Sequence, residues 1–132
     1  MAKIFSYNKH EKLKSKKQID NLFKKGKSFT VFPLKVFFVF ADDTQDDAIK
    51  TGVGVSSRHF KKAVHRNRVK RLLREAYRTE KLPLHETLGN NEKKLAVFLL
   101  FIDKTLPEYS LLKEKMHACI QRLIHEVDIK NT

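Results

Sequence analysis

The sequence predicts a single α+β domain that spans all 132 residues. Apolar residues recur at helical spacing in several segments, and runs of β-branched and aromatic residues with strand length lie between those segments. A hydrophobic content of 41%, including ten Phe, is sufficient for one core and is untypical of a disordered basic chain. Residues 1–13 carry scattered Lys without periodicity, which predicts a mobile basic N-terminal arm.

The first predicted element is a short helix over residues 16–25. Ile19, Leu22 and Phe23 follow one another at i, i+3 and i+4, and Gly26 comes directly after the segment. The spacing places these three side chains on one face of the helix.

A strand is predicted over residues 29–40, with two unequal faces. Lys35 and Phe37 share the face that is expected to be wetter, and a cation beside an aromatic ring is a common way to hold single-stranded nucleic acid. A helix that covers Phe37 is an equally good interpretation, and both remain open. The other face carries Leu34, Val36, Phe38 and Phe40.

The next segment, residues 42–47, is acidic and precedes a strand at residues 50–56. Clustered Asp can bind a hard cation, but the segment lacks the Gly and the distal Glu of a calcium loop. A solvated hairpin loop is therefore the favoured interpretation. Gly52 and Gly54 lie within the strand and are interpreted as packing or bulge glycines.

After the basic segment discussed below, the sequence predicts a connection interrupted by Pro83 that runs to Asn91. Residues 94–103 are apolar on both faces, which predicts a central strand. A final helix begins near Ser110. Its apolar positions at helical spacing are Leu112, Met116, Cys119, Ile120, Leu123 and Val127.

Charge restricts the class of partner. The chain has 28 Lys and Arg against 15 Asp and Glu, a formal net charge of +13, which favours polyanions. No helix has apolar surface to spare for a membrane, and no apolar run reaches the roughly 18 residues of a membrane span. Because Cys119 is the single cysteine, no internal disulfide forms and a reducing cytoplasm is expected.

The densest positive charge lies between residues 58 and 78, where Glu75 is the single acid. On a helix, Val69, Leu72, Leu73 and Ala76 fall on one stripe and predict a packed side. The opposite side and its flanks, which we call the cationic ridge, consist of Arg66, Asn67, Arg68, Lys70, Arg71, Arg74 and Arg78.

A charge run on a helix is usually a solvated face, but such a face normally alternates Lys with Glu at i, i+4. Those pairs are nearly absent here, which favours polyanion binding over a merely solvated face. The predominance of Arg favours RNA, because a guanidinium binds phosphate in bidentate fashion and stacks on unpaired bases. Asn67 either reads a base edge or acts locally near the helix start, and the sequence does not separate these roles.

The stretch from Lys62 to Arg71, Lys-Ala-Val-His-Arg-Asn-Arg-Val-Lys-Arg, continues to Arg74-Glu75 and resembles the Arg-Asn-Arg signature of the bacterial ribonuclease P protein family. The predicted elements also arrive in the family's order, from about residue 13 to 125. The resemblance implies a two-layer α/β sandwich of order αβββαβα. Its four-stranded sheet would contain a left-handed βαβ crossover that carries the basic helix, a rare hand.

The resemblance further implies a protein subunit that binds ribonuclease P RNA and precursor tRNA, while the RNA performs the cleavage with magnesium. It assigns docking on the catalytic RNA to the Arg-Asn-Arg helix. The predicted RNA-binding set is Arg58, Lys61, Lys62, Arg66, Asn67, Arg68, Lys70, Arg71, Arg74 and Arg78.

The family also holds the 5′ leader of precursor tRNA in a cleft between the first helix and the sheet. By position, this role falls to Ile19, Phe23, Lys35 and Phe37. Ile19 and Phe37 depart from the family pattern, which is often aromatic and often Tyr at these positions. Base stacking is therefore expected to be weaker there.

The sequence predicts no catalytic or metal-binding residue of the protein itself. It shows neither clustered carboxylates nor H-E-x-x-H, and its one cysteine cannot pair in a zinc site. His65 is expected to be a surface histidine. No membrane and no obligate protein partner are expected.

Three other functions remain as alternatives at this point. A ribosomal or RNA-assembly protein that binds structured RNA without cleavage fits the size and charge, and the signature alone argues against it. A DNA-binding module lacks a recognisable helix-turn-helix. An independent metal-dependent nuclease lacks its ligands.

Overall fold

A four-stranded sheet with helices on both faces forms the body of the protein. The computed structural model describes residues 16–41, 48–56 and 58–130, so the predicted arm at 1–13 and the acidic segment at 42–47 lie outside the described residues. The elements are α1 (Lys16–Lys25), β1 (Lys27–Val31), β2 (Leu34–Ala41), β3 (Ile49–Val55), α2 (Ala63–Glu80), α3 (Leu82–Asn90), β4 (Lys94–Phe101) and α4 (Tyr109–Lys130). The predicted α+β class is confirmed.

The strands follow the order β1-β2-β4-β3 across the sheet. β2 runs antiparallel to both β1 and β4, whereas β3 and β4 are parallel neighbours. The central position predicted for residues 94–103 is confirmed, because β4 lies between β2 and β3. Parallel neighbours need a crossover connection, and α2 with α3 provides it. The left hand that the resemblance implies for this crossover stays a prediction.

Two predictions about the strands are wrong. The single strand over residues 29–40 is a hairpin, in which β1 pairs with β2 through Val31 and Leu34 and the chain turns at Phe32 and Pro33. The continuous run of strand-forming residues conceals this turn. The hairpin loop expected at 42–47 is also wrong, because β4 separates β2 from β3 in the sheet.

The predicted connection around Pro83 is instead the helix α3. Pro83 stands in the first turn, where a backbone N–H has no intrahelical acceptor and its loss costs little. Leu84 and Leu88, one turn apart, are buried and belong to the core. Pro83 therefore begins a helix rather than ending one.

The main core lies between one face of the sheet and a layer formed by α2, α3 and α4. Strand alternation directs Val36 and Phe38 of β2 into this core and Phe37 to the opposite face, where α1 lies. All six positions predicted for the inner stripe of the final helix are buried in α4. They are Leu112, Met116, Cys119, Ile120, Leu123 and Val127.

Candidate nucleic-acid interface

The outer side of α2 carries the cationic ridge. Val69, Leu73 and Ala76 are fully buried and anchor the inner side of the helix, as the spacing predicts, while Leu72 is half-buried at its edge. Tyr77 is also fully buried and was not part of the predicted stripe, although it lies one turn after Leu73 and the same spacing identifies it. The exposed residues of the ridge are Asn67, Arg68, Arg71 and Arg74.

The charges of the ridge are largely uncompensated within the protein. Glu75 accepts a hydrogen bond from Nε of Arg78 at 3.1 Å, and this contact lowers the pKa of the Glu75 carboxyl below its ordinary value. Among the residues that the structure describes, no acid pairs with Arg68, Arg71 or Arg74. Arg78 is thus partly neutralised, whereas the other arginines keep their full charge for an external anion.

Arg66 differs from its predicted outward orientation. It is half-buried, and its Nη1 donates hydrogen bonds to the carbonyl oxygens of Phe60 at 2.8 Å and Lys61 at 2.7 Å. Lys62, the N-cap residue of α2, provides no side-chain capping bond. Arg66 therefore joins the preceding loop to the helix, a role that its position in the sequence did not indicate.

The loop before α2 extends the positive surface past the end of the helix. Arg58, Lys61 and Lys62 are all exposed. Phe60 is buried between them, with its ring centroid 6.1 Å from that of Phe101, and it anchors the loop to the core. Since the first turn of α2 contains no acid, the dipole of the helix adds to the attraction for anions at this end.

The predicted leader cleft is an aromatic cluster between α1 and the open face of the sheet. The Phe23 ring centroid lies 4.8 Å from that of Phe37 and 5.3 Å from that of Phe98, both in edge-to-face geometry. Nζ of Lys35 lies 5.2 Å from the centroid of the Phe37 ring. Ile19 is half-buried one turn before Phe23. We call these five residues the aromatic cleft.

The structure shows whether Phe37 is covered by a helix or exposed to solvent, which the sequence left open. α1 does cover Phe37, as one interpretation held, but it does so with Phe23, which is itself 45% exposed. The covered ring and the covering ring therefore form one surface that solvent reaches. Phe98 was missed because it lies in a continuous apolar strand, although its alternation with the buried Val97 and Leu99 places it on the open face.

Gly54 makes room for Phe98. A Cβ atom at position 54 would lie 2.6 Å from Cζ of the Phe98 ring, closer than real Cβ contacts. This confirms the packing interpretation of Gly54 and shows that the floor of the cleft needs a residue without a side chain there.

The described ranges offer no cluster of side chains for a metal ion. No set of three or more His, Cys, Asp or Glu in them is placed to hold a metal ion, and no helix in them is long and apolar enough to cross a membrane. Burial raises the pKa of the Cys119 thiol to about 12, so this side chain stays protonated. His65 is half-buried on α2.

A family model described as Ribonuclease P matches residues 7–124 of the chain. The chain belongs to the ribonuclease P protein family. A ribonuclease P protein component from Porphyromonas gingivalis is 31% identical over 123 residues, with 93% of this chain and 90% of the relative covered. One from Chlorobium phaeobacteroides is 33% identical over 134 residues, with 94% and 89% covered.

Solved structures support the same fold. The ribonuclease P protein from Thermotoga maritima superposes with a TM-score of 0.66 at 24% identity, covering 85% of this chain and 96% of that chain. A mutant of the Staphylococcus aureus ribonuclease P protein gives a TM-score of 0.66 at 17% identity, covering 86% and 88%.

Membership of the ribonuclease P family confirms the predicted function. The protein is the protein subunit of a ribonucleoprotein endoribonuclease that processes the 5′ end of tRNA. A ribosomal or assembly protein without a part in cleavage is not favoured. The assignment of individual residues to each RNA stays a prediction.

Proposed function

We propose that the cationic ridge binds ribonuclease P RNA and that the aromatic cleft holds the 5′ leader of precursor tRNA. The observation that carries the proposal is the outward position of Arg68, Arg71 and Arg74, unpaired among the described residues, on a helix whose other side is locked in the core. Binding of phosphates to such a surface is favourable, because they attract the arginines directly and because counterions are released.

We assign the two RNAs to surfaces on opposite faces of the sheet. α2 covers the core face and presents its arginines outward, whereas the aromatic cleft occupies the open face with α1. One RNA on each surface is then attracted to the same cationic body, which screens the repulsion between the two RNAs.

The cleft suits single-stranded RNA of varied sequence. Phe23 and Phe37 offer rings on which bases stack, and Lys35 beside Phe37 offers a positive charge for the adjoining phosphate. Stacking does not require a particular base, because every base has a flat π-face. Ile19 supplies apolar contact without a ring, so we expect fewer stacking contacts at that end of the cleft.

In this proposal the protein contributes binding and orientation, and the RNA contributes the chemistry. Magnesium bound by the RNA would supply the Lewis-acid chemistry for hydrolysis of the phosphodiester bond 5′ of the mature tRNA. The reaction takes place in the cytoplasm.

The test is reconstitution with a bacterial ribonuclease P RNA and precursor tRNA at low magnesium. We expect 5′ processing to need both protein and RNA. Arg71→Ala should weaken binding to ribonuclease P RNA, while Phe23→Ala should weaken binding only of precursor tRNA that carries a leader. Lys113→Ala, which removes an exposed cation from α4, is the matched control and should change neither.

Two results would contradict the proposal. The first is cleavage of precursor tRNA by the protein and magnesium alone, since that requires catalytic groups in the protein. The second is an equal loss of RNA affinity in Arg71→Ala and Lys113→Ala, because binding would then follow net charge rather than the ridge.

A further inference from the structure

One apolar side chain stands among the cations of α2. Val64 lies in the first turn of the helix and is 68% exposed, the highest value among the exposed large hydrophobic residues of the described ranges. It has no role in the core. It borders a shallow groove of about 570 Å³ whose other lining residues are His65, Arg68, Arg71 and Leu72.

Helix geometry explains the groove. Val64, Arg68 and Leu72 occupy successive turns at i, i+4 and i+8, so the two apolar residues lie about 12 Å apart along the axis with Arg68 between them. The aliphatic stem of an arginine covers apolar surface while its guanidinium remains in water. The groove therefore combines an aliphatic floor with two guanidinium groups, those of Arg68 and Arg71.

The charges around the groove remain available. Glu75 lies one turn beyond Arg71, but its carboxylate is bound by Arg78. No other acid among the described residues contacts Arg68 or Arg71. An anion at this place meets two positive groups beside an apolar surface.

We propose that this groove binds an unpaired nucleotide of the RNA, with its base against Val64 and the aliphatic stem of Arg68 and its phosphate at the guanidinium groups of Arg68 and Arg71. A continuous duplex keeps its bases stacked inside and presents phosphates and sugars, to which exposed aliphatic groups add nothing. A splayed nucleotide presents an apolar base next to a charged phosphate, which matches both parts of the groove. The inference rests on the proposed function and specifies the feature of the RNA that the ridge recognises.

The decisive variant is Val64→Thr, which keeps the shape and the helix propensity of Val64 and replaces a methyl group with a hydroxyl. We expect affinity for bacterial ribonuclease P RNA to fall roughly three- to tenfold, the effect of about one methylene-sized apolar contact. Affinity for a fully paired RNA duplex and the salt dependence of binding should not change. Leu111→Thr is the matched control, because Leu111 is 41% exposed in the first turn of α4.

The outcomes separate this inference from the proposed function. If Val64→Thr binds both RNAs like the wild type while Arg71→Ala binds them weakly, the groove is unused and the ridge remains. If Val64→Thr weakens binding to the duplex equally, recognition of an unpaired nucleotide is wrong. If the wild-type protein binds neither RNA, the proposed function itself fails.

A direct readout does not depend on the size of the affinity change. A photoreactive benzophenone side chain in place of Val64 should crosslink to nucleotides that are unpaired in the secondary structure of ribonuclease P RNA. Crosslinks confined to paired segments would overturn the proposal.

Discussion

Arg66 and Arg68 flank Asn67 in the signature, yet the structure gives them different physical roles. Nη1 of Arg66 donates two hydrogen bonds, to the carbonyl oxygens of Phe60 and Lys61, whereas the Arg68 side chain forms no hydrogen bond or ion pair with another described residue. We therefore expect Arg66→Ala to destabilise the fold and Arg68→Ala to leave its stability unchanged. Both variants should weaken RNA binding.

The magnitude follows from the two lost bonds. A hydrogen bond to a charged group contributes about 1.5–3 kcal/mol when buried, and the half-exposed position of Arg66 reduces this because water replaces part of the interaction. The net cost of Arg66→Ala is then about 1–2 kcal/mol, which corresponds to roughly 4–10 °C in Tm for a chain of this size. Replacement of the exposed Arg68 should stay within about 0.5 kcal/mol.

Thermal and urea unfolding of the two variants measure these free energies, and RNA titrations over a range of salt concentrations measure the second effect. Arg68→Ala should reduce the slope of log K against log salt by roughly 0.7–0.9, the contribution of one phosphate contact. Equal unfolding free energies for the two variants, or a larger loss in Arg68→Ala, would refute the assignment of Arg66 to the loop.

Three further predictions concern the core and the cleft. Gly54→Ala should cost about 1–3 kcal/mol of stability in urea unfolding because the new methyl group overlaps the Phe98 ring, and Phe98→Leu in the same chain should recover part of the loss; an unchanged midpoint would contradict the packing. Leu73→Ala should cost about 2–5 kcal/mol, since Leu73 is fully buried beneath the ridge, and a smaller loss would mean that α2 is not anchored there. Cys119 should resist thiol reagents at pH 8 in the folded protein and react once the chain is unfolded in urea. Because burial raises its pKa from 9.0 to about 12, its contribution to stability is present below pH 9 and is lost as the pH rises toward 12. Rapid labelling of the native protein would contradict this burial.

The orientation of α2 was predictable because it depends on local periodicity alone. Val69, Leu73 and Ala76 recur at helical spacing, and burying them turns the intervening arginines outward whatever the rest of the fold does. The resemblance to a family added the cleft, whose residues come from separate elements. The contacts of Phe23 with Phe37 and Phe98 depend on how α1 packs on the sheet, which spacing does not determine.

The wrong predictions concern which strands pair, how a loop folds back on a helix, and which element follows a proline. Pro33 lies in the tight turn between β1 and β2, and Pro83 lies in the first turn of α3. The turn at Pro33 was overlooked, and Pro83 was interpreted as an interruption. The sequence shows where a backbone N–H is missing but not which element follows. The hydrogen bonds of Arg66 to residues five and six positions earlier were equally hidden, since they depend on the path of a loop.

The strand β4 contributes side chains to the core on one face and to the aromatic cleft on the other. Val97 and Leu99 point into the core that the sheet shares with α2, α3 and α4, while Phe98, between them, points into the aromatic cleft. Stacked layers of a protein keep a nearly fixed separation of about 10 Å, because their interiors are close-packed and resist compression. Under the proposed function, the protein therefore fixes the distance between the leader and the catalytic RNA. A bulkier residue at Leu99 would change that distance without contacting either RNA.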